Sequence, residues 1–240
     1  MMNFIEKKFH HASLFIGWLV IYLFVFFVIA RVSNDPLRAT VIGNLIVLAL
    51  AGVYYWDRIK PSNRVAKLSV KEVLVYACFS VVIWIAIQSM VIFLIDIGVR
   101  PPADVEADLM PVFVVLAVIV APILEEVLFR GVFYHHLREQ WGVSIGLILS
   151  VLLFALLHLN VHQFSAAVLG GLFFTVVYEK TRRVSLCIGL HMLMNGLSIG
   201  LAGRQVPSWF GSVWLTMILI MIVVVGCLVI LNYKRTVTQE

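Results

Sequence analysis

Two adjacent carboxylates and a guanidinium, Glu125, Glu126 and Arg130, sit inside an otherwise apolar run that starts near Val112. An ionisable group at the centre of a lipid-embedded helix costs roughly 2.5–3.5 kcal/mol on insertion scales, so three of them close together require partners and a purpose. On a helix Glu126 and Arg130 are four residues apart, share a face and can pair. Glu125 points about 100° away and has no partner in its own helix. That spare carboxylate is the group expected to do chemistry. Two further ionisable residues interrupt apolar stretches: His158, one helical turn after Phe154, and His191, one helical turn before Asn195. Three separate helices thus present groups that are costly facing lipid, and the economical arrangement points them at one another.

A carboxylate and an imidazole beside a trapped water make a general-base pair: Glu125 and His158 would take a proton from water and pass it to a leaving amine. His191 and Asn195 would donate hydrogen bonds to a developing oxyanion, each donor being worth about 3–4 kcal/mol in the transition state. Water, base and oxyanion donors suffice to hydrolyse an amide without a covalent nucleophile, and no Ser or Cys stands in these three motifs. The same residue types leave a second chemistry open. Glu125, His158 and His191 could hold Zn²⁺ with one position free for water, although His-Glu-x-x-His is absent; no metal is assigned. Plainer readings compete with each residue. Glu126–Arg130 can be a structural ion pair, Glu125 a protonated hydrogen-bonded carboxyl, His158 a satisfied core imidazole, and Asn195 interhelical glue. Pro122 either frees a backbone carbonyl near Glu125 or is tolerated without consequence. His10, His11, His135 and His136 read as interfacial, and His162 as part of an outer turn.

The elements that must position these groups are membrane helices. The chain is 62% hydrophobic and 13% charged, with a mean hydropathy of +1.03, whereas soluble domains are about 45–50% apolar and about 25% charged. A span needs about 20 apolar residues, and eight segments meet that rule approximately: Leu14–Ala30, Thr40–Trp56, Val73–Ile95, Pro111–His135, Ser144–Leu159, Phe164–Tyr178, Val184–Ala202 and Val213–Tyr233. The fifth and sixth are the weakest. The expected fold is therefore all-α, one transmembrane bundle of about eight helices over residues 1–240. With both termini in the cytoplasm, the inner segments carry thirteen Lys and Arg and the outer ones four: Arg31, Arg38, Arg100 and Arg204. That asymmetry follows the positive-inside rule. The polar stretch after Ala30 is not a small-x-small cleavage site, so the first segment is read as a permanent helix. The net charge of +5 fits anionic lipid; spread over short segments, it makes no nucleic-acid face. Cys78, Cys187 and Cys227 read as small core residues.

The motifs have a family likeness. Ala121–Gly131, with its E-E-x-x-x-R, resembles the first motif of the CPBP family, the CAAX-protease and bacteriocin-processing membrane proteins also called the Abi family. Phe154-x-x-x-His158 resembles the second motif and His191-x-x-x-Asn195 the third, with Tyr178-Glu179-Lys180-Thr181 as the turn between them. The likeness covers about residues 112–196. It implies an intramembrane endopeptidase of the type II CAAX prenyl endopeptidase kind, with its site open to the cytoplasm and, in prokaryotes, lying in the plasma membrane. By position Glu125 and His158 would activate water and His191 and Asn195 would form the oxyanion hole. Glu126, Arg130 and Phe154 would support them. The substrate would be a membrane-associated peptide or protein. A non-catalytic peptide-binding or bacteriocin-immunity protein, and a proton-coupled transporter, are the competing expectations.

Overall fold

The computed structural model describes residues 68–99, 111–158, 160–204 and 206–232, together with isolated positions between 17 and 46. Apart from those isolated helical positions, the expected first two spans lie outside the described residues, as do most of the loop after Asp96, both termini and much of the basic charge. Among the described residues all regular structure is helical.

Helix α1 (Val70–Asp96) starts at a reciprocal cap. The Ser69 hydroxyl accepts from the Glu72 amide at 3.2 Å, and the Glu72 carboxylate accepts from the Ser69 amide at 2.8 Å, so two donors that the first turn leaves orphaned are satisfied. A composite helix follows over residues 111–134. It alternates α turns (α2, Pro111–Val115; α3, Ala121–Glu126) with π turns (Leu116–Val120 and Val127–Tyr134). Helix α4 (His135–Leu156) continues it without a break to Gly142, whose φ of 80° and ψ of 177° are non-helical. Only glycine reaches that region readily, and the chain folds back there instead of forming the polar loop expected between the fourth and fifth segments. The two arms of α4 then pass so closely that a Cβ on Gly146 would stand 2.8 Å from the Arg138 backbone nitrogen.

Helix α5 (Val161–Thr181) is capped by the Asn160 side chain, which accepts from the Gln163 amide at 2.8 Å, and it ends at Arg182 in the left-handed conformation, φ 54°. Helices α6 (Val184–Gly200) and α7 (Val213–Asn232) complete the described bundle. Helices α1, α5 and α7 are long and apolar enough to cross a membrane. The sixth expected segment, judged weak from its sequence, is a full helix and the most enclosed of the three. Its glycines and Phe173, Phe174, Val176 and Val177 are buried among α1, α6 and α7. Helix α7, apolar all round, leaves Trp214, Met217, Met221 and Val229 exposed, as a lipid-facing helix does. A second cluster packs Phe129, Val132, Phe133 and Leu137 against Phe154 and Ala167. The polar centre lies between these two clusters.

Candidate active site

The centre is built on the composite helix, where the two glutamates stand between its π turns. A π turn carries one more residue per turn than an α turn and is enriched at functional sites. Glu126 is fully buried, and so is Arg130. The guanidinium donates from Nη1 to Glu126 Oε1 at 3.0 Å and from Nη2 to the Gly171 carbonyl of α5 at 3.2 Å. Its flat face lies 4.6 Å over the Phe154 ring and 5.5 Å from that of Phe174. A dry charge pair is tolerable only when geometry and added hydrogen bonds are good, and here a backbone carbonyl and two aromatic faces supply what the ion pair lacks. Gly171 makes this close approach possible. A Cβ there would sit 3.1 Å from Phe154 Cδ1 and 3.5 Å from Arg130 Nη2.

Glu126 Oε1 has a second partner, His191 Nδ1 of α6 at 2.9 Å, while its Oε2 makes no hydrogen bond to the described residues. The Glu126 carboxylate therefore fixes His191 as well as holding Arg130. The imidazole is locked from two more sides. Phe174 stacks on it at 4.9 Å and an interplanar angle of 24°, and Phe154 meets it edge-on at 6.3 Å. With Nδ1 committed to Glu126, the opposite ring nitrogen faces Glu125: Nε2 lies 3.9 Å from Glu125 Oε2. That is ion-pair distance, too long for a direct hydrogen bond. Glu125, with a side chain 13% exposed, remains the carboxylate with spare capacity.

One expected site residue departs from its helical spacing, and another spends its bonded hydrogen elsewhere. Helix α4 stops at Leu156, so His158 stands in the turn beyond it rather than on a face shared with Phe154. Its ring still packs edge-on against Phe154 at 4.9 Å, and its Nδ1 bonds the Phe154 carbonyl at 2.9 Å. A carbonyl only accepts, so Nδ1 carries the proton and Nε2 presents its lone pair. Asn195 does not accompany His191 towards the glutamates with its bonded hydrogen. Its Nδ2 donates to the Ala117 carbonyl at 2.9 Å, on the composite helix. Among the described residues no group of three or more His, Cys, Asp or Glu side chains is gathered as a metal ion needs. Glu125, His158 and His191 therefore do not fit a zinc site in this arrangement.

Other residues contribute that spacing did not single out. Phe174 and Gly171 carry no polar signal at all; in the sequence they were one aromatic and one small residue of a greasy helix. Glu179, expected in a turn, lies in the last turn of α5. It accepts from Tyr134 Oη at 2.8 Å, from Arg138 Nε and Nη2 at 2.7 and 3.0 Å, and from Arg182 Nη2 at 2.7 Å. The hydrogen bonds to Glu179 push the Arg138 pKa above its ordinary value. His162, expected in an outer turn, is buried in the first turn of α5 and bonds the Val99 carbonyl at 3.0 Å.

Residues 107–197, which contain all three motifs, match the family described as type II CAAX prenyl endopeptidase Rce1-like. The chain is 28% identical over 85 residues, 35% of each chain, to YdiL of Bacillus subtilis (strain 168), which is named as a membrane peptidase. It is 33% identical over 96 residues, 37% of this chain and 38% of the other, to the membrane-embedded CAAX protease MroQ of Staphylococcus aureus (strain USA300). The matches thus span little more than a third of these curated relatives. No solved structure matches the chain. The likeness read from three motifs is therefore found by whole-segment comparison as well. With three helices of spanning length among the described residues, the chain is an integral membrane protein, and its residues 107–197 are similar to CAAX-protease-like proteins.

Proposed function

We propose that this chain is an intramembrane endopeptidase that hydrolyses a peptide bond of a membrane-associated peptide or protein with a glutamate-activated water. The observation that carries the reading is the approach of Glu125 to His191 across 3.9 Å, with the imidazole held by Glu126 and by two aromatic rings. A gap of that length makes no direct bond to the imidazole, so Glu125 can take a water as its partner. Glu125 takes a proton from that water as its oxygen attacks the scissile carbonyl carbon, and His158, through its free Nε2, accepts the water's other hydrogen as a hydrogen bond. The carbonyl oxygen, now negative, receives Nε2–H of His191 in its imidazolium form and the second N–H of Asn195. Glu125 then returns the proton to the departing amine as the C–N bond breaks. Arg130, Glu126 and Phe154 hold the imidazole and the helix, and touch no substrate.

In this reading the bundle has about eight spans over residues 1–240, with both termini and the mouth of the site on the cytoplasmic side of a bacterial plasma membrane. Lipid surrounds it, and the partner is a peptide or protein in the same bilayer.

The test uses the full chain reconstituted in liposomes with a pool of internally quenched peptides, each carrying a hydrophobic anchor. Wild-type protein is expected to cleave members of the pool, and Glu125→Gln to lose about 10²–10⁴-fold in rate, the range for a general base. Cleavage that persists in Glu125→Gln and His158→Ala would remove the assigned roles. Binding of pool peptides without cleavage, unchanged by Glu125→Gln, would instead favour a capture or immunity protein.

A further inference from the structure

We propose that Pro122 is a positioning residue for Asn195: by withholding a backbone N–H, it leaves the Ala117 carbonyl as the acceptor that fixes the Asn195 carboxamide. The inference rests on the oxyanion role given to Asn195 above, and it adds a residue and a device that the role alone does not contain.

The argument is one of register. In the π turn Leu116–Val120 the Ala121 amide donates to the Leu116 carbonyl, five residues back. Continued by one residue, the same register would bring the amide of residue 122 onto the Ala117 carbonyl. Residue 122 is proline, which has no N–H. The Ala117 carbonyl cannot recover its α-type donor either, because the Ala121 amide is already committed to Leu116. A backbone carbonyl inside a membrane bundle must be satisfied by some neighbour. The neighbour here is Asn195 of α6, whose Nδ2 donates to it at 2.9 Å.

The consequence runs in the other direction too. A carboxamide has two N–H donors in one plane. Once one is committed to Ala117, the direction of the second is set, and among the described residues no other hydrogen bond holds this side chain. His191, one turn earlier on α6, is oriented through Glu126. Both donors assigned to the oxyanion are therefore aimed by the composite helix, His191 by the carboxylate of residue 126 and Asn195 by the carbonyl that Pro122 leaves open. Pro122 and Glu126 stand on the same short helix α3 (Ala121–Glu126), so the two donors stay in register with Glu125 as one unit.

The experiment is Pro122→Ala in the full chain, which supplies the missing N–H. Proline inside a helix is unfavourable relative to alanine, so thermal stability in detergent is expected to hold or rise. Three readouts test the positioning role. In protein labelled with ¹⁵N-asparagine, the Asn195 side-chain amide signals (assigned by their loss in Asn195→Ala) are expected to shift and exchange faster with solvent in Pro122→Ala. On the pool peptide that wild type cleaves fastest, kcat is expected to fall about tenfold with KM unchanged, since small misplacements of a reacting group carry large rate penalties. Adding Pro122→Ala to Asn195→Ala is expected to cost nothing further. Pro122→Leu, which also restores the N–H but with a larger side chain, is expected to behave like Pro122→Ala. Unchanged Asn195 amide signals, an unchanged kcat, losses that multiply in the double variant, or divergence between the Ala and Leu variants would each overturn the inference. Failure of the hydrolase reading is seen separately, as cleavage surviving Glu125→Gln, and leaves the amide readout intact.

Discussion

Two carboxylate–arginine clusters involve the composite helix and its continuation, one within it and one joining it to the end of α5, and they are finished very differently. Glu179 receives hydrogen bonds from the Tyr134 hydroxyl and twice from the Arg138 guanidinium, pairs with Arg182 as well, and has both of its oxygens engaged. The arginines around it are 34% and 26% exposed. At the centre, Glu126 places both its bonds on one oxygen, and neighbouring Glu125 has only a 3.9 Å approach to His191. A carboxylate whose acceptor sites are all filled is a clamp; one left underfilled, beside an oriented imidazole, is the one that reacts in the function proposed above. Both clusters set a glutamate against arginine, so the difference lies in donor count, in burial, and in the partner added, a tyrosine in one and a histidine in the other.

The sharpest way to break that contrast is at Arg130. Arg130→Met leaves Glu126 buried without its cation and is expected to cost about 3–5 kcal/mol, the penalty for an uncompensated interior charge, read by denaturation in detergent. A loss below about 1 kcal/mol would mean that Glu126 is not held as a charged partner. Next comes Gly171→Ala, which pushes a methyl against Phe154 and Arg130. Overpacking of this kind typically costs about 1–3 kcal/mol, and cleavage is expected to fall more than stability because His191 and Arg130 share those rings. Glu179→Gln is expected to lower stability by about 1–2 kcal/mol, as partly exposed charged hydrogen bonds do, while kcat per folded molecule stays at the wild-type value. If Glu179→Gln abolished turnover in folded protein, the division into clamp and reactive carboxylate would fail. The smallest effect is Ser69→Ala, which opens the reciprocal cap of α1 far from the centre. About 1 kcal/mol of stability is expected to go, with no change in kinetics.

Much of the centre was legible beforehand because a membrane makes polar residues conspicuous. Glu125, Glu126, Arg130, His158, His191 and Asn195 stood out as costs against an apolar background, and the spacing of Glu126 and Arg130 alone predicted their pairing. The partners of His191 and Asn195 were not legible. Whether the imidazole bonds residue 125 or 126 depends on the phase of a helix with two π turns, and a pattern of 3.6 residues per turn does not carry that phase. His158 was expected on a helical face and stands in a turn, because α4 ends three residues earlier than its apolar run suggested. Gly170 and Gly171 signal in the sequence a close approach of neighbouring helices, but not which residues approach; Phe174 was invisible, because an aromatic residue is unremarkable in a helix that is buried anyway.

Composition and hydropathy by themselves determined that the chain is helical and resides in a membrane, since its long continuous apolar runs suit helices and not the alternating strands of a barrel. They also determined which few side chains had to find one another. Only the tertiary structure decided who met whom. Glu126 binds both Arg130 and His191, Gly171 opens its carbonyl to the guanidinium, and Ala117 accepts from Asn195. Those choices turn on helix phase and on contacts between residues far apart in the chain, where a shift of one residue in register redirects every side chain that follows.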